Sequence, residues 1–133
     1  MRVAIVGSRD YPDIDHVLAY VRLLPPESVV VSGGARGVDE AAEAAALECG
    51  HRVESIAADW KNRGRRAGPE RNAKVVERAD RVVAFWDGKS RGTLDTIRKA
   101  VAAGKQCAVK RPGQAWEMAS RGWLEHRGKG REA

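Results

Sequence analysis

Short β-branched apolar runs alternate along the chain with longer stretches whose apolar residues recur at helical spacing. Arg2-Val3-Ala4-Ile5-Val6 is such a run, ended by Gly7, and predicts a buried strand. Val17, Leu18, Val21 and Leu24 then mark a helix, with Asp13 placed as its N-cap and Pro25-Pro26 as its stop. Val29-Val30-Val31, closed by Ser32-Gly33-Gly34, predicts a second strand. An alanine-rich helix follows from Val38 through Leu47 and ends at Gly50. Residues 52–56 read as a third strand and 59–68 as a polar, basic loop. Pro69 suits the first turn of a helix reaching about Ala79. Residues 81–86 form a fourth strand, 88–92 a loop, 93–103 a helix closed by Gly104, and 106–109 a fifth strand. Beyond Pro112 the pattern weakens. Trp116, Met118 and Trp123 suggest a short packed helix before a frayed end at 127–133. There is no internal repeat.

Strands alternating with amphipathic helices imply a parallel sheet covered on both faces, and right-handed crossovers restrict its topology. The expected fold is α/β, a Rossmann-like three-layer sandwich with a five-stranded parallel sheet in the order 3-2-1-4-5. Residues 1–110 make up the domain, and 111–133 form an extension packed on it. In such a sheet the ligand sits outside the carboxyl ends of the strands, where the strand order switches between strands one and four.

A length of 133 residues fits one domain with a real core. With 43% apolar and 32% charged residues, the chain has the make-up of a globular protein. No apolar run approaches the length of a membrane span, and the first residues open into strand-like sequence rather than a secretory signal. Cys49 and Cys107 are far apart and make neither a disulfide framework nor a zinc site. A cytoplasmic protein with reduced thiols is expected, with no metal and no cofactor. The net charge of +6 is unevenly placed. Residues 60–74 carry Lys61, Arg63, Arg65, Arg66, Arg71 and Lys74 against Glu70 alone. The tail carries Lys110, Arg111, Arg121, Arg127, Lys129 and Arg131 against Glu117, Glu125 and Glu132.

The carboxyl end of each strand carries similar chemistry. Gly7, Ser8 and Arg9 follow the first strand; Ser32, Gly33, Gly34, Arg36, Gly37 and Asp39 follow the second. Gly68-Pro69-Glu70-Arg71-Asn72 follows the third, and Ser90, Arg91, Gly92 and Thr93 follow the fourth. Glycines let backbone N–H groups approach an oxyanion, helix N-termini favour negative charge, and arginines grip phosphate with two bonds. The coincidence on one sheet edge points to an anion site. Each piece has a plainer role: a tight turn for the glycines, a first-turn helix acid for Asp39, an exposed helix residue for Arg71, packing for Trp60 and Trp86. His16, His51 and His126 have no partner spacing and read as structural or surface residues. The serines lack a nucleophile elbow, and neither the dinucleotide nor the Walker glycine pattern occurs.

At these residues the sequence resembles the SLOG superfamily, and specifically its YspA, YpsA-related branch. Val30-Val31-Ser32-Gly33-Gly34-Ala35-Arg36-Gly37-Val38-Asp39 is similar to the branch's second-strand motif and to the VVSGxARGID motif of the DNA-processing protein DprA. Gly68-Pro69-Glu70-Arg71-Asn72 matches GPxRN, and Ser90-Arg91-Gly92-Thr93 falls where the LOG phosphoribohydrolases carry PGGxGTxxE. The resemblance implies a Rossmann-like fold, a nucleotide-type ligand and a homodimer or larger assembly. The alanine-rich face from Ala41 to Leu47 is the expected contact for that pairing. LOG enzymes cleave an N-glycosidic bond with an Arg and a Glu. Arg71 takes the Arg position, but the Glu position falls on Thr96. Asp95, one residue earlier, points about 100° away on a helix.

The reading reached from the sequence is therefore a protein that binds a nucleotide-derived phosphorylated ligand as sensor, carrier or sink. The first alternative is a nucleotide N-glycosidase using Arg71, with Glu70 or Asp39 assisting. The second is single-stranded nucleic-acid binding through residues 60–74. Arg71 and Glu70 are the catalytic candidates, and the loop residues above, with Asn72, are the ligand-binding ones.

Overall fold

The computed structural model describes residues 1–126. In chain order its elements are β1 (Arg2–Gly7), α1 (Ile14–Arg22), β2 (Val29–Ser32), α2 (Val38–Glu48), β3 (Arg52–Ser55), α3 (Trp60–Arg63), a 3-10 turn (Gly64–Arg66), α4 (Ala67–Arg78), β4 (Arg81–Phe85), α5 (Arg91–Ala102), β5 (Cys107–Lys110), β6 (Glu117–Met118) and α6 (Arg121–His126). The sheet runs β3-β2-β1-β4-β5-β6, parallel from β1 to β5, with β6 antiparallel against β5.

The period-2 pleat assigns alternate residues of each strand to opposite faces. Val3, Ile5, Val30, Val83 and Phe85 pack beneath α1 and α2 with Val17, Val21, Ala42, Ala45 and Ala46. Ala4, Val6, Val31, Val82, Ala84 and Trp86 pack beneath α4 and α5 with Val75, Val76, Ile97 and Ala100. Both faces of the central strands are therefore buried, which is why those strands read as unbroken apolar runs. Phe85 is fully buried. It meets Tyr11 edge-on at 5.6 Å and Trp116 at 5.5 Å, tying the sheet to the residues beyond β5.

Three local expectations are revised. The sheet has a sixth strand, because Pro112-Gly113 reverses the chain. Gly113 has φ +70°, and the Gln114 N–H donates to the Arg111 carbonyl at 3.1 Å, as in a type II turn. Trp116 and Met118 thus flank or form a strand, and the short helix begins only at Arg121. Residues 60–68 are not a loop but helical, because the Asp59 carboxylate ahead of them accepts from the Asn62 N–H at 3.3 Å and Arg63 pairs with Glu70 at 3.0 Å. Asp13 sits at the α1 N-cap without a side-chain capping bond. Within the alanine-rich stretch of α2, Ala42, Ala45 and Ala46 lie in the core, whereas Ala44 and Leu47 are exposed. The frayed end expected at 127–133 lies outside the described residues. Among those described, no helix is long and apolar enough to cross a membrane.

Candidate functional site

At the carboxyl ends of β1, β2 and β4 the loops enclose a cleft of about 230 Å³. It opens where strand order switches between β1 and β4, the crevice that binds ligands in open α/β sheets. Ser8 sets the geometry on this edge. Its N–H donates to the Phe85 carbonyl at 3.0 Å, extending the β1–β4 ladder by one bond. Its hydroxyl accepts from the Asp87 N–H at 3.0 Å. Asp87 in turn accepts from the N–H groups of Lys89 and Ser90, both at 2.8 Å, and shapes the loop ahead of α5. Burial pushes the Asp87 carboxyl up, but those N–H donors and the Ser8 hydroxyl outweigh it and hold it below its ordinary value. The Ser90 hydroxyl then caps α5 by accepting from the Thr93 N–H at 3.3 Å. Trp86 is buried, and its indole N–H fixes the Ser90 carbonyl at 3.0 Å.

Arg71 and Asn72 bridge the cleft from α4. The Arg71 Nη1 donates to the Gly33 carbonyl at 2.7 Å and its Nε to the Asn72 Oδ1 at 3.0 Å. The Asn72 Nδ2 donates to the Gly92 carbonyl at 3.3 Å and to Asp95 at 3.0 Å. One continuous set of bonds thus runs from the glycine-rich loop after β2 to the first turn of α5, and the guanidinium is held over the cleft with its planar fork oriented. Gly33 makes this approach feasible, because a Cβ there would lie 2.8 Å from the Arg71 Cδ.

Asp39 is the buried acid of the cleft, only 5% exposed. Its carboxylate accepts from the Gly33 and Ala35 N–H groups at 3.2 and 3.4 Å and folds the loop back on itself. Burial raises its pKa from 3.8 to about 6, the rise being limited by the Ala35 N–H, the Arg71 charge and the Gly33 N–H. A carboxyl poised near neutrality in a cleft, close to an arginine, is the electrostatic pattern of functional sites.

Of the residues expected at this site, Gly7, Arg9, Gly33, Arg36, Asp39, Arg71, Asn72, Ser90, Gly92 and Thr93 line the cleft. The others lie outside its lining. Ser8 and Ser32 are buried; Ser32 accepts from the Gly34 N–H at 3.1 Å. Gly34 is exposed with φ +69°, and Arg91 is exposed. Gly37 has φ +84°, and a Cβ there would lie 2.3 Å from the Arg9 carbonyl oxygen, so this glycine serves the packing of two loops. Glu70 is turned away and paired with Arg63. Val6, Ala35 and Val75 also line the cleft and were not anticipated. Val75 was findable, standing one helical turn after Arg71 on the same face. Thr96 lines it too, with its hydroxyl donating to the Gly92 carbonyl at 3.2 Å. Asp95 is held by Asn72 and Lys99.

Comparison with known proteins agrees with the fold. The YspA, cpYpsA-related SLOG family matches residues 1–62. The gene 61 protein of Mycobacterium phage D29 is 38% identical, the match covering 77% of this chain and 90% of that protein. Among solved structures, DNA processing protein A from Helicobacter pylori, described for its single-stranded DNA binding mode, superposes with a TM-score of 0.72 at 24% identity. That match covers 98% of this chain and 73% of the other. DprA from Streptococcus pneumoniae gives 0.71 at 24% identity, covering 81% of this chain and 49% of the other. At such identity these two structures bear on the fold alone.

Proposed function

This chain belongs to the YspA, cpYpsA-related SLOG family, and from that premise we propose that it binds a nucleotide or nucleotide-derived phosphorylated ligand in the cleft at the carboxyl edge of its sheet. The observation that carries the reading is the fixed Arg71 guanidinium facing a cleft that also receives the start of α5. Nε and Nη1 are held by Asn72 and Gly33, so the group is preorganised and loses little freedom on meeting a phosphate. The Thr93 N–H is taken by the Ser90 hydroxyl, and the N–H groups of Arg91 and Gly92, which have no acceptor within their own helix, add a second anion-binding element. Arg9 and Arg36 line the same cleft and raise its positive field. Ser90 and Thr93 supply hydroxyls, and Asp39 supplies an acceptor for a ligand hydroxyl.

Isothermal titration with AMP, GMP, CMP, UMP and ADP-ribose tests the reading directly. Arg71→Ala should lower affinity for the phosphorylated compound by about 10- to 100-fold, the equivalent of one charge-assisted bond of roughly 1.5–3 kcal/mol, while sparing the matching nucleoside. A folded wild-type chain that binds none of the five compounds refutes the reading. The enzymatic alternative, hydrolysis of an N-glycosidic bond, rests on Asp39, whose raised pKa suits proton transfer near neutral pH. Free base released from the bound nucleotide, and lost in Asp39→Asn, would favour it. The single-stranded nucleic-acid alternative rests on exposed Lys61, Arg65 and Arg66 beside exposed Trp60. A steep salt dependence of oligonucleotide binding would favour that one.

A further inference from the structure

We propose that the Trp60 indole is the stacking wall for the nucleobase of the ligand whose phosphate meets Arg71. The inference rests on the nucleotide-binding reading above and adds to it the part of the site that faces the base. Trp60 is 60% exposed, whereas Trp86 is buried and Trp123 packs against it with ring centroids 5.8 Å apart. The backbone that carries Trp60 is held in place. That residue is the first of α3, whose start is capped by Asp59 through the Asn62 N–H and side-chain amide. The end of that turn is tied to α4 by the Arg63–Glu70 ion pair. A solvent-facing indole on an anchored turn offers its face to a flat apolar partner.

The position of the indole is matched by the helix beneath it. Gly68 lies in the first turn of α4 and is buried there, in helical conformation without a positive φ. No backbone requirement therefore calls for glycine, which is a poorer helix former than alanine. A Cβ at Gly68 would lie 3.2 Å from the Trp60 Cη2, so the absent side chain is what lets the ring edge rest on the helix. Arg71 is three residues farther along, on the same face of α4 and about one turn away. The indole itself is not part of the cleft lining; it lies against the turn of α4 that immediately precedes Arg71 and Asn72, which do line it. Glu70, between Gly68 and Arg71 in sequence, holds Arg63 and thereby ties the α3 turn that carries Trp60 to α4. The shared chemistry recognised is a nucleobase joined to a phosphate, whether free or within a single strand. Stacking on an indole tolerates any base, so Trp60 contributes affinity with little base preference.

The test compares ligands with and without a base. Trp60→Ala and Trp60→Phe are titrated with the four nucleoside monophosphates, with ribose 5-phosphate and with a dT oligonucleotide. Trp60→Ala should weaken the mononucleotides by about 10-fold or more, with Trp60→Phe recovering most of that loss and ribose 5-phosphate changing by less than about twofold. A loss confined to the oligonucleotide supports stacking and assigns the base to a strand rather than to a free nucleotide. Unchanged affinities in Trp60→Ala, or equal losses for AMP and ribose 5-phosphate, overturn the stacking role while leaving the cleft intact. A wild-type chain that binds no base-bearing ligand overturns it together with the nucleotide-binding reading.

Discussion

Asp39 places a negative charge where burial opposes it, and Asp39→Asn removes the charge while keeping the shape and an oxygen able to accept from Gly33 and Ala35. Burial is the dominant influence and raises the folded-state pKa from 3.8 to about 6 despite two backbone donors and the nearby Arg71 charge. A shift of about 2 units at about 1.36 kcal/mol each amounts to roughly 3 kcal/mol. The sign follows from linkage: the folded state binds this proton more tightly than the unfolded one. The stability contribution is therefore fully present below about pH 3.8 and is lost as pH rises through about 6. Carboxylates whose pKa is lowered, such as Glu54 beside Arg78 and Arg2, act in the opposite direction at acid pH. They are common to both proteins and cancel in the difference. Urea unfolding of wild type and Asp39→Asn from pH 4 to 7.5 should show near-equal stability at the acid end and a growing advantage for the variant, reaching about 3 kcal/mol above pH 6.5. A difference that stays flat across this range, or favours the wild type at neutral pH, would mean that the loop donors and Arg71 hold the charge without penalty. An acid retained against its effect on stability is the trade expected of a functional group.

Two further outcomes separate structural from ligand-facing roles. Gly37→Ala should lower stability by more than about 2 kcal/mol, since it adds a collision with Arg9 to an unfavourable backbone conformation. Gly50→Ala, at φ +80° with open space around it, should cost only about 1 kcal/mol, and equal thermal shifts for the two would refute the packing role of Gly37. The thiols should divide cleanly: Cys49 is exposed, whereas Cys107 is buried and its pKa is pushed up to about 12. Thiol titration of the native protein at pH 8 should therefore label Cys49 alone, and fast labelling of Cys107 without denaturant would contradict a closed β5 layer.

Much of the fold was legible because its elements are locally consistent. Val29-Val30-Val31, closed by glycines, has no plausible helical reading, and the strands buried on both faces announce themselves as unbroken apolar runs. What escaped was written in other terms. Residues 59–66 have no apolar periodicity, and their helical turns are held by Asp59 and the Arg63–Glu70 pair, contacts that a polar run does not advertise. The sixth strand depends on a two-residue turn at Pro112-Gly113 and on tertiary bonds. Arg111, only 5% exposed, donates to Glu117 at 3.0 Å, and Glu117 accepts from the Trp123 indole N–H at 3.2 Å. The Pro-Gly pair was the available signal.

The cleft was legible as a neighbourhood and less so as a set of roles, because composition cannot say which glycine serves the fold. Gly7 and Gly37 are required by Val38, the Phe85 carbonyl and the Arg9 backbone, whereas Gly33 is required by a cleft residue, Arg71. The same limit applies to the acids. Glu70 and Arg71 are adjacent on one helix, so their side chains diverge by about 100° and cannot both face the cleft. Arg71 faces inward to Gly33, and Glu70 is left to Arg63. Asp95 is engaged by Asn72 and Lys99, and Thr96 lines the cleft with a hydroxyl already donated to Gly92. Among the described residues the carboxylate left lining the cleft is Asp39, contributed by a different helix and far from Arg71 in sequence. The burial that disfavours the Asp39 charge is also what raises its pKa to about 6, so among the cleft's side chains it is the acid whose charge changes near neutral pH.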